Sequence, residues 1–461
     1  DSEALANLSQ ALEITMNRLG EDHPDTAAGL VELARLYRQL ARNDSQHYLQ
    51  AMERYEKALK IRESRLMPGH RLIAETLTEL SRLKLDMGDQ NSASELAERA
   101  VDVWERAGRQ DDPEAALSLL ALANSNFAQK DYERAEANYL TARALGEKSF
   151  GMGHPFLAQA LLGLSRLAFI HERPEEGLSL LKSATELENK LLQRQLGTAR
   201  ENRKLELLNA AADTFYILIN TVVKYFPYDA TAKRFVLDTL LARKGLIFDD
   251  QARIEEAIAS DLAPSLKSKW QQLRRQLATL ELHPPLNTSS HDMRQLHTRV
   301  QADLEEVEAH IGAKSQRFSQ HRFRRDVTAS RVAATLPSNG VLVEFVKTRD
   351  IGQSHPRYGD DASRYVAFTL RADGQITMID LGQSSQIESA IDQFRETLPK
   401  GKALHAVPVE TVLEKLEALY EKLLLPLERV ISDAKQIILS PDEQLNAVPF
   451  AALRNERDGK F

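Results

Sequence analysis

Apolar residues over the first part of the chain recur at helical spacing, in blocks that copy one another. Leu30, Leu33 and Leu36 form one block and Leu77, Leu80 and Leu83 the next, the rhythm of a helix with one buried side. Small residues keep a longer period. Ala51, Ala93, Ala135 and Gly177 stand 42 residues apart, and so do Ala58, Ala100, Ala142 and Ala184. Leu80, Leu122 and Leu164 take the same step, as do Tyr55, Ala97, Tyr139 and Leu181. Ala11 and Leu33 sit 47 residues before Ala58 and Leu80, which puts a short insertion near 43–48. Columns that share one register predict a repeated structural unit.

Each unit reads as two helices. Pro24 in EDHPD, Pro113 in QDDPE and Pro155 in GMGHP suit a first helical turn, and Arg71 holds that place after Pro68, Gly69 and His70. Gly88-Asp89 or Lys130-Asp131 then turns the chain into the second helix. The alanines at i and i+7 of that helix let neighbours approach closely. Such a unit cannot bury its apolar side alone, so it must stack on its copies.

Beyond about residue 187 the helical pattern continues without the register. The stretches 202–226 and 230–250 predict long amphipathic helices, and 266–282 with 293–312 an antiparallel pair joined by a polar loop over 283–291. After Pro337 the period changes to alternation. Residues 340–347, 364–371 and 375–381 predict strands, the last two joined at Ala372-Asp373-Gly374. A helix over 386–397, a longer one over 411–429 and a buried strand over 436–440 complete a mixed, layered α/β pattern.

Composition narrows the function classes. At 461 residues, 43% hydrophobic and 28% charged, the chain has the make-up of a folded protein of about three domains. A net charge of −7 gives no general pull toward nucleic acid. No apolar run approaches the ~18 residues of a membrane span. Cysteine is absent, which excludes disulfides, thiolate metal sites and a cysteine nucleophile among these residues. The expected setting is cytoplasmic, with a signal peptide removed ahead of Asp1 as the open alternative.

Little else carries chemistry. His23, His70 and His154 fall in equivalent loops along a stack, so a capping role is expected rather than one metal site. Lys314, Arg317, Arg322, Arg324 and Arg325 form a basic run, read as a solvated linker ahead of a nucleic-acid contact. Ser432 and Ser440 lack a nucleophile-elbow motif and His405 has no evident partner. No phosphate loop, zinc spacing or dinucleotide fingerprint is present. No cofactor and no metal are therefore expected.

The helix–turn–helix units resemble tetratricopeptide repeats, and the G-x-H-P opening resembles the kinesin-light-chain-like branch over 1–188, about four and a half repeats. The first residues, Leu5 to Leu19, read as a second helix whose first helix is missing. A second resemblance lies in LEALYEKLLLPLERVISDAKQIILSPDEQLNAVPFAAL (416–453). Leu419-Tyr420, Leu424 to Pro426, Ser440-Pro441-Asp442, Leu445, Val448-Pro449-Phe450 and Leu453 resemble the first half of a CHAT domain, a caspase-like module related to separase. The stretch LLARKGLIFDD (240–250) also suits that family.

The resemblance implies a mainly α fold: a superhelical solenoid over 1–188, a helical connector over 189–333 and the N-terminal half of a CHAT-like domain over 334–461. In that family a His base and a Cys nucleophile follow the Pro-Phe segment. Neither occurs here before Phe461, so the chain is expected to be a fragment of a longer protein. The function implied is the protein- or peptide-binding and regulatory portion of a CHAT-family cysteine peptidase. The alternative is a non-catalytic scaffold with a structural α/β part. Expected partners are a protein or peptide ligand in the repeat groove and the missing half of the CHAT-like domain, with no membrane and no nucleic acid. First helices line the concave surface in such repeats, and Arg35, Arg82, Asn124 and Arg166 form one polar column there. That column could receive an acidic segment. Glu32 and Glu79, three residues before Arg35 and Arg82, could instead neutralise it along the helix.

Overall fold

The computed structural model describes residues 2–41, 44–150, 154–196, 212–260, 327–349, 363–398 and 408–453, with short helical stretches between 268 and 307. They divide into two compact units, Asp1–Leu191 and Leu192–Phe461.

The first unit is a run of helices: α1 (Ser2–Leu19), α2 (Pro24–Leu40), α3 (Gln46–Arg65), α4 (Arg71–Asp86), α5 (Gln90–Arg106), α6 (Ala115–Ala128), α7 (Tyr132–Phe150), α8 (Pro155–Ile170) and α9 (Pro174–Leu196). From α1 to α8, each packs on the next in sequence, and α2 on α4, α4 on α6 and α6 on α8 close the stack. Both alanine columns are fully buried at these contacts. Gly163 shows how little room remains. A Cβ there would fall on the Tyr139 ring, so the tyrosine occupies the place a side chain would take. Ser81 and Ser165, two repeat steps apart, each donate a 2.7 Å hydrogen bond to a carbonyl of the paired helix, at Ala93 and Gly177.

The helix ends follow one recipe. His23, His70 and His154 are N-caps in extended backbone, each accepting at Nδ1 the N–H two residues on, at 3.1, 3.2 and 3.3 Å. This is the capping role expected of them, and the accepting nitrogen satisfies an otherwise orphan donor. The intra-repeat turns are left-handed at equivalent places: Gly88 (φ 82°), Lys130 (φ 65°) and Glu172 (φ 60°). Asp89, Asp131 and Arg173 then return their N–H groups to Lys84, Asn126 and Ala168, the closing bond of a Schellman end.

In the second unit, β1 (Gly340–Lys347), β2 (Arg364–Arg371), β3 (Ile376–Gln383) and β4 (Gln436–Ser440) form a sheet in the order β3-β2-β1-β4. β1 and β2 are antiparallel, as are β2 and β3, while β1 and β4 are parallel. The hairpin turn is where the sequence placed it, with Gly374 at φ 83°. On one face Val341, Val343, Phe345, Tyr365 and Ala367 pack against α13 (Ser384–Glu396) and α14 (Val409–Leu423). The preceding helices α10 (Ala212–Tyr225), α11 (Ala230–Ser260) and α12 (Ala329–Ala333) also reach the sheet, α10 and α11 at β3 and α12 at β2. Strands β1 and β2 are accordingly buried along almost their whole length, as near-continuous apolar runs are when both faces are covered.

Two expectations are corrected. The single helix over 411–429 is broken: α14 stops at Leu423, a 3₁₀ turn covers Leu425–Leu427, and α15 takes Glu428–Ile431. Pro426 supplies the reason, because it has no N–H to give to the helix and disfavours helical backbone before it. The strand expected to be buried, β4, is the sheet edge among the described residues, with Ile437 41% and Ile438 37% exposed. The loop at 283–291, the basic run from Lys314 to Arg325 and His405 lie outside the described residues, as does much of the helical pair around that loop.

Candidate functional site

The polar column begins on α2. Arg35 donates to Glu32 at 2.6 Å and, across the repeat junction, to Glu75 at 2.7 Å, with Glu79 at 3.5 Å. Arg38, one turn on, reaches Asp86 at 2.6 Å and Glu79 at 3.4 Å. Beneath them the buried Arg62 donates to the Leu72 carbonyl at 2.9 Å and Thr76 Oγ1 at 2.7 Å, with Glu75 at 3.6 Å. Burial works against the charge of Arg35, but Glu79, Glu32 and Glu75 outweigh it and raise its pKa. The first two repeats are thus joined by alternating charges rather than lined by free cations.

Arg82 stands differently. Its nearest carboxylate, Glu79, is 3.9 Å away, and its Nη2 donates to Gln159 Oε1 on α8 at 3.4 Å. Burial lowers its pKa against the pull of Glu79. Buried Tyr55 lies in the same field, its hydroxyl raised in pKa by burial and by Glu79, and among the described residues that hydroxyl has no hydrogen-bond partner.

Further along, Asn124 Oδ1 accepts from the Tyr139 hydroxyl at 2.6 Å. Burial pushes that phenol up, and Arg166 opposes it. The four column residues therefore fall into separate settings: Arg35 inside a carboxylate cluster, Arg82 half-paired, Asn124 and Arg166 around Tyr139. The sequence showed Glu32 and Glu79 as partners along the helix. It left out Arg38, Glu75 and Asp86, although 40, 41 and 48 residues separate the cross-junction pairs, close to the repeat length that was already visible.

A second polar cluster lies in the α/β unit. Lys244 of α11 gives its three protons to Glu344 of β1, to the Phe345 carbonyl at 3.0 Å and to Ser440 Oγ of β4 at 3.4 Å. Ser440 donates in turn to Glu344 Oε1 at 2.8 Å. The Glu344 side chain is 4% exposed and that of Lys244 20%. Burial raises the Glu344 pKa, and Lys244 and Ser440 pull it back. The serine proton is committed to a carboxylate, and that carboxylate to a lysine. The arrangement matches donors to acceptors and ties a helix to two strands. Ser432, by contrast, is exposed at the end of α15.

Among the described residues no group of three His, Cys, Asp or Glu side chains is arranged to hold a metal, and no helix is long and apolar enough to cross a membrane.

Residues 44–106 and 114–190 match the family model of the tetratricopeptide repeat, and residues 413–461 that of the CHAT domain. No curated protein matches the chain. Similar solved structures include a variant of nearly identical TPR-like repeats of the kinesin-light-chain kind from Podosopora anserina. It is 25% identical, with a TM-score of 0.34, over 41% of this chain and 87% of that one. Another is BtubC (BKLC) from P. vanneervenii, 20% identical, with a TM-score of 0.38, over 57% of this chain and 93% of that one.

Proposed function

We propose, starting from a chain that carries tetratricopeptide repeats and a CHAT-domain segment, that it is the protein-binding and regulatory portion of a CHAT-family cysteine peptidase. Its repeats receive a protein or peptide ligand. Its α/β unit supplies the non-nucleophilic part of a catalytic domain whose His and Cys are contributed by further sequence. The observation that carries this reading is β4, which among the described residues is a parallel edge strand with two exposed isoleucines and Ser440 tied to β1. Apolar edges are a liability that folded proteins cover, so a further strand paired to β4 accounts for both its sequence and its exposure.

Within the groove the column Arg35, Arg82, Asn124 and Arg166 remains the proposed ligand surface, and its members are unequal. Arg82 meets its carboxylate at 3.9 Å, against 2.6 Å for Arg35, and is better placed than Arg35 to take one from a ligand. Arg35 already has three.

The test is proteolysis of a protein substrate by the full-length gene product, before and after a thiol-alkylating reagent. Activity lost on alkylation supports a cysteine peptidase. Activity that alkylation leaves intact, or no activity in the presence of the repeat ligand, favours the scaffold, in which the α/β unit is structural only.

A further inference from the structure

The junctions between repeats are not alike, and the register allows them to be compared position by position. Lys57 and Arg99, one repeat step apart, each reach back across a junction to a carboxylate: Lys57 to Glu21 at 2.8 Å and Arg99 to Glu63 at 2.8 Å. The next residue in that column is Thr141, which is uncharged and donates to the Ala137 carbonyl of its own helix at 2.8 Å. Glu105 follows Glu63 by the same 42 residues, so the carboxylate persists where its cation has gone. Among the described residues Glu105 takes part in no ion pair. Of the neighbouring cations, Arg106 pairs with Asp102, Arg109 with Asp112 and Arg143 with Glu147, while Lys148 borders the same space as Glu105 without an ion pair to it.

The apolar filling changes at the same junction. One step earlier Ile73 and Leu77 pack with Leu59, Leu66, Leu96 and Val103. In register, Ile73 becomes Ala115, Leu66 becomes Gly108 and Leu96 becomes Asn138. At this junction lies an open cavity of about 370 Å³, walled by Val101, Trp104, Leu119, Leu145 and, of the replaced positions, Ala115. A concavity of this size lies in the range of ligand pockets, which begin at ~300 Å³. Its charged lining residues, all exposed, are Glu105, Asp111 and Lys148, two carboxylates to one ammonium.

We propose that this cavity, between α5, α6 and α7, is a docking site for a protein partner that inserts a large apolar side chain and sets an adjacent arginine or lysine against Glu105 and Asp111. The partner restores from outside what the preceding junction holds within itself: the apolar filling and the cation on the carboxylate. None of Arg35, Arg82, Asn124 and Arg166 lines this cavity, so the two surfaces are separable by mutation.

Trp104 provides the reporter, since the chain has only two tryptophans and this one lines the cavity. The experiment titrates a blocked leucyl-leucyl-arginine peptide, and its glutamate counterpart, while following the Trp104 indole N–H resonance. The arginine peptide is expected to shift it, with affinity at least about tenfold above the glutamate peptide, a difference of ~1.4 kcal/mol. Ala115→Ile, which copies Ile73, and separately Thr141→Arg, which copies Arg99, are each expected to abolish the shift; Arg82→Ala is expected to leave it. Equal response to both peptides, or a response that survives Ala115→Ile and Thr141→Arg, overturns the proposal.

Discussion

The two units hold their charges in opposite ways. In the repeat unit, Arg35, Arg38, Glu75 and Glu79 each have two or three partners, Asp86 joins them through Arg38, and all stay partly exposed. In the α/β unit, one lysine and one glutamate meet in a largely dry place between elements that the sequence separates by 100 residues. Shared, wet ion pairs are individually worth ~0–1 kcal/mol, so the repeats can lose one and keep their stack. A buried pair tolerates no such loss, because either partner alone is an uncompensated charge. The same contrast holds for packing. A repeat buries its apolar side against its neighbours in sequence and gains stability by local increments, whereas β1 becomes an interior strand only when the distant β4 closes on it.

The contrast is broken most directly at its buried end. Glu344→Ala, leaving Lys244 and Ser440 without their acceptor, is expected to cost about 3–5 kcal/mol, read as a lower unfolding transition of the α/β unit. The double replacement Lys244→Met with Glu344→Leu should recover most of that loss. A double variant as unstable as the single would mean that the geometry, not the charge, holds the helix to the sheet. In the repeats the largest effect is steric rather than ionic. Gly163→Ala drives a methyl into the Tyr139 ring and is expected to cost about 1–3 kcal/mol. The further change Tyr139→Leu should relieve it.

Smaller effects sharpen the comparison. Removing one cap, with His70→Ala, should cost about 1 kcal/mol and confine faster hydrogen exchange to the start of α4. Replacing Lys130 or Glu172 by glycine should stabilise by up to about 1 kcal/mol, since a left-handed backbone strains any residue with a Cβ. Gly88 already occupies the equivalent place. Acid titration closes the series. The Glu344 pKa is raised, chiefly by burial, so the folded state keeps this proton to higher pH than the unfolded chain. The α/β unit should then lose stability as pH rises from the unfolded carboxylate value through the folded one. In Glu344→Gln that slope disappears.

What the sequence disclosed follows the same divide. Columns at 42 residues located the alanines of the close helix contacts, the capping histidines and the turn at Lys130, because each repeat meets a copy of the same neighbour. Hydrophobic alternation found β1, β2 and β3 and the hairpin at Gly374. It could not tell that β4 would lie at an edge: Gln436, Ile437 and Ile438 belong to an apolar strand whether one side pairs or both. Nor did it show that Lys244, on what reads as one more amphipathic helix, faces Glu344. No local pattern links residues a hundred positions apart, and a lone glutamate in a strand of valines was the one clue to a buried counter-charge. In the groove the difficulty was different: Arg35 and Glu75 obey the repeat period, but a salt bridge is recognised along a helix more readily than across a junction.

The pairing of β1 with a near strand on one side and a distant one on the other also has a timetable. Its antiparallel neighbour comes within 16 residues, while the strand that covers its other edge follows 96 residues later. At a synthesis rate of about 5–20 residues per second, the nascent sheet waits about 5–20 seconds with its central strand open on one side. Helices α13 and α14 are made in that interval, and α11 is already available to bring Lys244 to Glu344. A chaperone that recognises unpaired apolar strands would find its substrate in that window, and slowing the ribosome between α14 and β4 would lengthen it.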